Sequence, residues 1–305
     1  MTLNGKKVLV TGAAGFIGSN LTDTLLQKGA IVVGVDNLFN GRIENLEDAL
    51  RNKNFHFYKG DIRDYNLIID ISKDVEIIYH QAAFTSVPQS ILMPESCNNV
   101  NINGTLNILN AAVKNNVQKV IYASSSSVYG DTPTLPKKED MKRVPISPYG
   151  VSKLASEAYM QVYHKIYGIK TLTLRYFNVY GPRQKDSPYS GVIAIWLGQI
   201  IRNEDLIIYG DGKNSRDFTY IKDVIQANLL AADHRCSGEI LNIGANSPIS
   251  LTELAELMLK LTNKKDLKIK YADPRPGDIL YSYADISKAM KILGFKPKYS
   301  QEDGL

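Results

Sequence analysis

The chain has 305 residues, of which 44% are hydrophobic and 22% charged, a composition typical of a folded globular protein. Its formal net charge is +5, and no basic block is interleaved with aromatic residues, which argues against nucleic-acid binding. The two cysteines lie far apart and the four histidines lack ligand spacing, which disfavours a metal site. We find no signal peptide and no apolar run of the ~20 residues that a membrane span needs, so we expect a cytoplasmic protein.

Strands and helices are predicted to alternate over the first part of the chain. Helical spacing follows the first strand, recurs over 103–114 and begins again at Tyr149. Short apolar runs predict buried strands over 7–12, 31–35, 55–58, 76–80, 119–123 and 170–175. This alternation predicts an α/β fold with a doubly wound parallel sheet.

The pattern becomes mixed after residue 175, where a loop with Gly-Pro-Arg leads into short helical and extended segments. We predict a first domain over 1–178 with a returning segment near 213–244. A smaller α/β domain over 179–212 and 245–305 would lie on the carboxyl edge of the sheet.

A glycine turn follows the first predicted strand and opens a helix, with Gly12, Gly15 and Gly18 at G-x-x-G-x-x-G spacing. Glycines there let the backbone approach a pyrophosphate, whose charge is favoured by the helix N-terminus, although such a turn can also be plain packing. Asp36 ends the next strand about twenty residues downstream, where a carboxylate can bind both ribose hydroxyls and repel a 2′-phosphate. Asp36 could instead cap a helix, but the two features together predict NAD rather than NADP.

Tyr149 and Lys153 stand four residues apart, which places both side chains on one face of a helix. A nearby ammonium stabilises a phenolate, so we expect Lys153 to lower the pKa of Tyr149 and make it a base near neutral pH. A serine from the run 124–127, brought in from the end of a strand, could complete a proton path to a substrate alcohol. Alone, Y-x-x-x-K is also common in ordinary amphipathic helices.

With these motifs in order, the chain resembles the extended short-chain dehydrogenase/reductase superfamily, and within it the nucleotide-sugar epimerases. The resemblance covers essentially the whole chain. Its further motifs are Gly60-Asp-Ile-Arg63, His80-Gln-Ala-Ala83, Asn101-Ile-Asn-Gly-Thr105, Arg175-Tyr-Phe-Asn178, Gly210-Asp-Gly212 with Arg216-Asp-Phe218, and Arg275-Pro-Gly-Asp278.

The resemblance implies a binding role for NAD at named positions. Asp61 and Ile62 would hold the adenine, and Ala82 and Ala83 would line the path to the nicotinamide, with Asn101 holding that wall. The implied cofactor residues are Gly12, Gly15, Phe16, Ile17, Gly18, Asp36, Asn37, Asn40, Gly41, Asp61, Ile62, Gln81, Ala82, Ala83, Asn101, Tyr149, Lys153 and Tyr176.

It also implies a catalytic set and a nucleotide-sugar site. Ser125 occupies the catalytic serine position, four residues before Tyr129, and acts with Tyr149 and Lys153. Arg216 and Arg275 would bind the pyrophosphate or uridine end through charge-assisted bonds. The implied substrate residues are Thr85, Ser86, Ser125, Ser126, Tyr149, Asn178, Gln184, Gly191, Val192, Arg216, Arg275, Asp278 and Ser282; no metal is implied.

Related branches differ beside the catalytic hydroxyl, where 4,6-dehydratases place Asp-Glu and UDP-glucuronate decarboxylases place Glu. Here Ser125 is followed by two serines, which disfavours dehydration. Ser282 stands seven residues after Arg275, at a gatekeeper position where a small residue admits a 2-acetamido group. At the position of Thr85, relatives carry glycine or lysine. Thr85 narrows the space for the 2-acetamido group a little.

The expected activity is therefore that of a UDP-hexose 4-epimerase with tightly bound NAD. It would act on UDP-N-acetylglucosamine/UDP-N-acetylgalactosamine and also on UDP-glucose/UDP-galactose. The alternatives are a UDP-glucuronate 4-epimerase, because those enzymes carry the same serine run, and a non-catalytic Rossmann protein that binds a nucleotide sugar. The resemblance implies a homodimer joined by a four-helix bundle, built from the helix over 103–114 and the Tyr149 helix.

Overall fold

The computed structural model describes residues 3–185, 187, 191–274 and 281–305. Arg275 and Asp278, two predicted substrate residues, lie outside the described residues. The strands are β1 Lys7–Thr11, β2 Ile31–Asp36, β3 Phe55–Lys59, β4 Ile77–His80, β5 Lys119–Ser125, β6 Lys170–Tyr176, β7 Val179–Tyr180, β8 Leu206–Tyr209, β9 Ser215–Asp217, β10 Thr219–Tyr220, β11 Glu239–Ile243, β12 Pro248–Ser250, β13 Ile269–Ala272 and β14 Tyr281–Ser282.

The large sheet has the strand order β11-β6-β5-β4-β1-β2-β3, and every pairing within it is parallel. This confirms the predicted doubly wound parallel sheet. The fifth and sixth strands extend past their predicted ends, so that β5 includes Ser125 and β6 includes Tyr176.

Helices cover both faces of the large sheet. Short segments of other helix types also occur: a π-helix over Asn99–Asn103 and 3-10 helices over Ile43–Leu46 and Ser126–Tyr129. The α-helices are α1 Phe16–Gln27, α2 Glu47–Leu50, α3 Tyr65–Ile71, α4 Val87–Leu92, α5 Pro94–Asn98, α6 Gly104–Lys114, α7 Pro148–Tyr167, α8 Val192–Ile201, α9 Ile221–Asp233, α10 Leu251–Leu261, α11 Ser287–Leu293 and α12 Gln301–Gly304.

Alternate side chains of the central strands enter two separate cores. In β1, Val8 and Val10 face the core formed with α1 and α9, whereas Leu9 faces the core formed with α3, α6 and α7. Successive side chains of a strand point to opposite faces, which is why these buried strands read as continuous apolar runs.

The chain beyond β6 forms a smaller unit and also returns to the large sheet. Strand β11 pairs with β6 and α9 packs on α1, whereas Ser215–Asp217 pairs with β12 and β14 instead. The return to the large sheet is therefore made by residues 221–243, later than the predicted start near 213. Residues 284–295, predicted in the smaller domain, contribute Ala284, Leu293 and Phe295 to the core beneath the large sheet.

The strand order reverses between β1 and β4, whose crossovers leave in opposite directions. A crevice forms at such a switch point, at the carboxyl ends of the strands. Among the described residues, no helix is both long and apolar enough to cross a membrane.

Candidate active site

The glycine turn after β1 permits contacts that a side chain would block. Gly12 has φ +68°, and a Cβ there would lie 2.9 Å from the backbone of Ala82. A Cβ at Gly18 would lie 2.0 Å from the Gly12 carbonyl oxygen. Gly15 is the N-cap of α1 and supplies no side-chain cap, so the first amide groups of α1, from Phe16 and Ile17, face outward. This cradle fits the pyrophosphate of NAD.

Gly18→Ala should lower the free energy of unfolding by about 3 kcal/mol, because α1 must move away from the turn. Gly15→Ala is the matched control, since its Cβ would lie 3.1 Å from the same oxygen and needs only a small adjustment. Denaturant unfolding of both variants measures the difference. Equal losses would show that the close approach at Gly18 is not what limits this position.

The carboxylate of Asp36 lies against the glycine turn. It accepts hydrogen bonds from the Leu38 N–H at 2.7 Å and the Ala14 N–H at 3.0 Å. Burial raises the pKa of Asp36, and the backbone donors oppose that shift. A Cβ at Gly41 would meet both carboxylate oxygens at 2.9 Å, so the loop that carries Asn40 and Gly41 closes directly over the acid. Such a carboxylate, beside a phosphate cradle, fits the ribose of an adenine dinucleotide.

Asp61 lies across from this loop and is held by two residues. Arg63 forms a bidentate pair with it through Nε and Nη2, at 2.9 and 2.8 Å, and the Asn37 amide donates at 2.8 Å. The hydrogen bond from Arg63 lowers the pKa of Asp61 to about 2. Asp61 is thus an anion with a fixed orientation beside the buried Ile62. Arg63 stood inside a quoted motif, but its partner could not be assigned from the sequence.

Asn101 lies in the π-helix and forms hydrogen bonds to the loop that follows β4. Its Oδ1 accepts the Phe84 N–H at 2.7 Å, and its Nδ2 donates to the Phe84 carbonyl and to Ser152 Oγ. The amide therefore ties the wall that contains Ala82 and Ala83 to helix α7. A π-helical turn is often found where a functional side chain must be re-aimed.

Beyond this wall, Thr85 is exposed and Ser86 is the N-cap of α4. Ser86 Oγ accepts the Gln89 N–H at 3.2 Å, so its oxygen already has one partner. Ser90, one turn on in α4, accepts the backbone N–H of Tyr149 at 3.2 Å. Helix α4 thus links the loop to the start of the helix that carries Tyr149.

His80 connects the glycine turn to the π-helix, a role that the sequence did not reveal. Thr105 donates its hydroxyl to the Asn101 carbonyl, so its oxygen accepts from His80 Nε2, 3.0 Å away. Nδ1 of His80 is then an acceptor for Thr11 Oγ1, at 2.8 Å, and Thr11 in turn accepts the Ala82 N–H. Burial lowers the pKa of His80 to about 3, so the ring stays neutral.

The structure brings Ser125, Tyr149 and Lys153 together at the carboxyl end of β5. Helix α7 starts sharply because Ser147 caps it by accepting the Gly150 N–H at 3.1 Å. Tyr149 is thereby in the first turn, and its phenol lies close enough to Ser125 for that hydroxyl to lower its pKa. Ser125 Oγ also accepts the Ser127 N–H, and Ser126 follows it in the 3-10 turn.

The expectation that Lys153 brings the pKa of Tyr149 near neutral is wrong for this structure, because burial shifts that pKa upward. Burial raises the pKa of Tyr149 to about 12, and the bond to Ser125 offsets only part of that shift. The Lys153 ammonium donates to the Ala123 carbonyl at 2.7 Å and lies 5.8 Å from the centre of the Tyr149 ring. Burial also lowers the pKa of Lys153 to about 7.

Behind Ser125 is a buried ion pair that the sequence did not reveal. Arg175 donates to both carboxylate oxygens of Glu157, at 2.8 and 2.7 Å, and to the hydroxyl of Tyr129 at 2.7 Å. Ser124 Oγ donates to the same carboxylate at 2.5 Å. Since Ser124 and Ser125 are neighbours in a strand, fixing one on this side aims the other into the crevice. The available signal was a charged residue, Arg175, within a buried strand.

Gln81 and Tyr176, both predicted to bind the cofactor, meet on the other side of the crevice. The Tyr176 hydroxyl lies 3.4 Å from Gln81 Oε1 and accepts from Asn228 Nδ2 at 2.8 Å. Asn228 Oδ1 accepts from Gln81 Nε2 at 3.1 Å. Asn228 is fully buried in α9, and a polar residue inside that apolar helix was the available signal.

The buried carboxylate of Asp217 ties together segments that carry some of the predicted substrate residues. It accepts backbone N–H groups of Ala245, Asn246 and Ala284, and so joins three segments. Asn178 donates to the Asp217 carbonyl, and Arg216 is in register with Ser282. Elsewhere in this unit, Gln184 donates to the Val179 carbonyl, Gly191 is the N-cap of α8 and Val192 is its first residue.

The described residues contain no cluster of three His, Cys, Asp or Glu side chains that could hold a metal ion. The geometry instead defines a dinucleotide-binding enzyme with a hydroxyl pair and a lysine at the switch point of the sheet.

Residues 8–244 match the NAD dependent epimerase/dehydratase family, and the chain belongs to that family. Its cofactor is NAD. The UDP-glucose 4-epimerase of Mycolicibacterium smegmatis is 37% identical, over 98% of this chain and 96% of that protein.

Two solved structures are similar over the whole fold. A UDP-N-acetylglucosamine 4-epimerase from Methanobrevibacter ruminantium M1, in complex with UDP-N-acetylmuramic acid, has a TM-score of 0.93 at 40% identity and covers 98% of this chain and 94% of its own. A UDP-glucuronic acid 4-epimerase from Bacillus cereus, in complex with UDP-glucuronic acid and NAD, has a TM-score of 0.91 at 35% identity and covers 98% and 96%.

Proposed function

We propose that the enzyme is a UDP-hexose 4-epimerase that inverts C4 through a transient 4-keto sugar. The observation that carries the proposal is the contact between Ser125 and Tyr149, with Lys153 on the next turn of α7. Two serines, and no carboxylate, follow Ser125 in the chain, so the site has the proton path for oxidation without the acid and base of dehydration.

In this proposal Tyr149 removes the proton from the sugar 4-hydroxyl, and Ser125 shares or relays it. The glycine turn and Asp36 would hold NAD, which would supply the acceptor and donor for the C4 hydride, and its positive ring would favour the phenolate. The high pKa of Tyr149 in the structure means that both the cofactor charge and Lys153 are needed for deprotonation near neutral pH. The groups around Asp217 would hold the diphosphate while the 4-keto sugar rotates to present its opposite face.

The test is a panel of UDP-sugars given to the purified protein without added cofactor. We expect NAD to co-purify and each active sugar to reach an equilibrium with its C4 epimer. Product formation that stops after consuming the bound NAD would identify a dehydrogenase instead. Binding without any conversion would favour a non-catalytic nucleotide-sugar protein.

We further propose that the acetamido sugars UDP-N-acetylglucosamine and UDP-N-acetylgalactosamine are substrates, along with UDP-glucose and UDP-galactose. Support comes from the small side chain of Ser282, in register with Arg216 on the neighbouring strand. The similar Methanobrevibacter enzyme is named for an acetamido sugar. The Bacillus cereus neighbour makes UDP-glucuronate the second candidate, and the same panel decides between them.

Ser282→Tyr should lower kcat/KM for the acetamido sugars by about tenfold to a hundredfold, because a larger side chain crowds the 2-position. Activity on UDP-glucose should be kept. Ser282→Ala, which preserves the small volume, is the matched control and should resemble the unmodified enzyme with both sugars. Equal losses on both sugar classes would remove Ser282 as the gatekeeper.

A homodimer through α6 and α7 is also proposed. Tyr163 on α7 donates to Asn110 on α6 at 2.5 Å, so the two helices form one continuous surface. Val151, Val162 and Ile166 leave an apolar stripe exposed along α7, with Ile166 69% exposed. Apolar stripes of this kind are typical of protein–protein contacts.

Both cysteines are free thiols, in keeping with a cytoplasmic enzyme.

Ile166→Glu should convert the dimer to a monomer, because it places charges within the shared apolar surface. Ile201→Glu is the matched control, since Ile201 is 78% exposed on α8 and outside this stripe. Analytical ultracentrifugation measures the assembly. A monomeric unmodified protein, or dissociation by both variants, would contradict the proposed interface.

A further inference from the structure

We propose that Tyr122 is a positioning residue that holds Lys153 as an ammonium through the face of its ring. The inference rests on the proposed function, which gives Lys153 its catalytic role. Tyr122 lies in β5, three residues before Ser125, and none of the motifs considered above assigns it a function.

The geometry shows the ring of Tyr122 to be the nearer of two aromatic faces. Lys153 Nζ lies 4.9 Å from the centre of the Tyr122 ring and 5.8 Å from that of Tyr149. Tyr122 is 1% and Lys153 3% exposed, so the contact is shielded from water, where cation–π attraction is strongest. The bond from Nζ to the Ala123 carbonyl uses one of the three N–H donors of the ammonium.

The charges around Lys153 explain why a neutral ring matters there. Glu157 favours the ammonium, but both of its oxygens are engaged by Arg175. Burial raises the pKa of the Cys97 thiol and lowers that of His80, which leaves both groups neutral. No unpaired carboxylate among the described groups therefore balances the burial of Lys153. The titratable groups that face it are Tyr149 and Glu157 on α7, Cys97 on α5, His80 on β4 and Tyr122 on β5.

The Tyr122 ring itself is fixed and neutral. The His80 ring packs 5.5 Å from it, and His80 is held at both nitrogens. Burial raises the pKa of Tyr122 well above its ordinary value, so the phenol does not compete for a proton. The ring can therefore act on Lys153 only through its face, and Lys153 acts on Tyr149.

The experiment titrates the Lys153 amine in the purified protein by NMR of isotope-labelled lysine side chains, with Lys153→Met in each background to assign its signal. Tyr122→Leu should lower the titration midpoint of Lys153 by about one pH unit, because the buried ammonium then loses the ring face that stabilises its charge. Tyr122→Phe keeps the ring and should keep the midpoint. In turnover, Tyr122→Leu should lower kcat about tenfold with KM unchanged, and Tyr122→Phe should restore it.

Tyr79→Leu is the packing control, because Tyr79 is fully buried on the neighbouring strand β4 and lies in the opposite core. It should leave the midpoint unchanged. If Tyr122→Leu does not fold, fluorinated phenylalanines at position 122 keep the shape and weaken the ring face stepwise, and the midpoint of Lys153 should fall with each fluorine.

A midpoint that is equal in all ring variants, or that moves as much in Tyr79→Leu, would overturn the inference. Failure of the unmodified enzyme to epimerise any UDP-sugar would overturn the proposed function instead. The titration of Lys153 needs no turnover, so it decides the role of Tyr122 in either case.

Discussion

Tyr149→Phe should lower kcat for C4 inversion about a thousandfold and leave KM for the UDP-sugar within about twofold. The phenol is half-buried, close to Ser125 and one helical turn from Lys153, so the loss of its hydroxyl removes the base without changing the shape of the site. A steady-state comparison of the two enzymes with one UDP-sugar measures the effect. Because the phenyl ring stays, NAD content should be unchanged.

Tyr159→Phe is the matched control on the same helix. Tyr159 lies 36% exposed on the outer side of α7, and its replacement should leave kcat unchanged. Near-normal turnover of Tyr149→Phe would contradict the assigned base. An equal fall in both variants would point to a general disturbance of α7.

Arg175→Met should lower the free energy of unfolding by about 3–5 kcal/mol, the cost of leaving a buried charge without its partner. Arg175 is fully buried, and its guanidinium is the cation that engages both oxygens of Glu157. Ser124 and the hydroxyl of Tyr129 would each lose order as well, since both bond to this pair. Denaturant unfolding measures the loss.

The double variant Arg175→Met with Glu157→Leu is the control for this prediction. Replacing both charges by apolar groups of similar volume is often neutral, so the double variant should recover most of the stability lost by Arg175→Met alone. Additive losses would show that the two charges do not act as a buried pair.

Much of the site could be predicted because its parts are marked by local chemistry. The glycine turn, Asp36 and the Tyr149–Lys153 spacing each sit at the end of a strand or start of a helix, and parallel strands bring such ends to one edge. The predicted positions of the strands were correct because a short apolar run of that length seldom forms anything but a buried strand. Each of these features can be recognised from the residues next to it in the sequence.

Contacts between distant segments could not be predicted in this way. Residues 284–295 join the core beneath the large sheet, although no strand pattern marks them. Asn228 was missed, and the partner of Arg63 was not predicted, because a polar residue acquires its partner only when the elements pack. The spacing of the sequence carries no information on which buried polar groups will meet.

The sequence by itself determined the sheet, the dinucleotide cradle and the identity of the hydroxyl–lysine set. Only the tertiary structure decided the protonation of that set. Proximity along α7 suggested that Lys153 would lower the pKa of Tyr149, but burial raises it to about 12 and lowers that of Lys153 to about 7. The reason is desolvation, which depends on every group packed around a side chain and so appears only when β5, α5 and α7 come together.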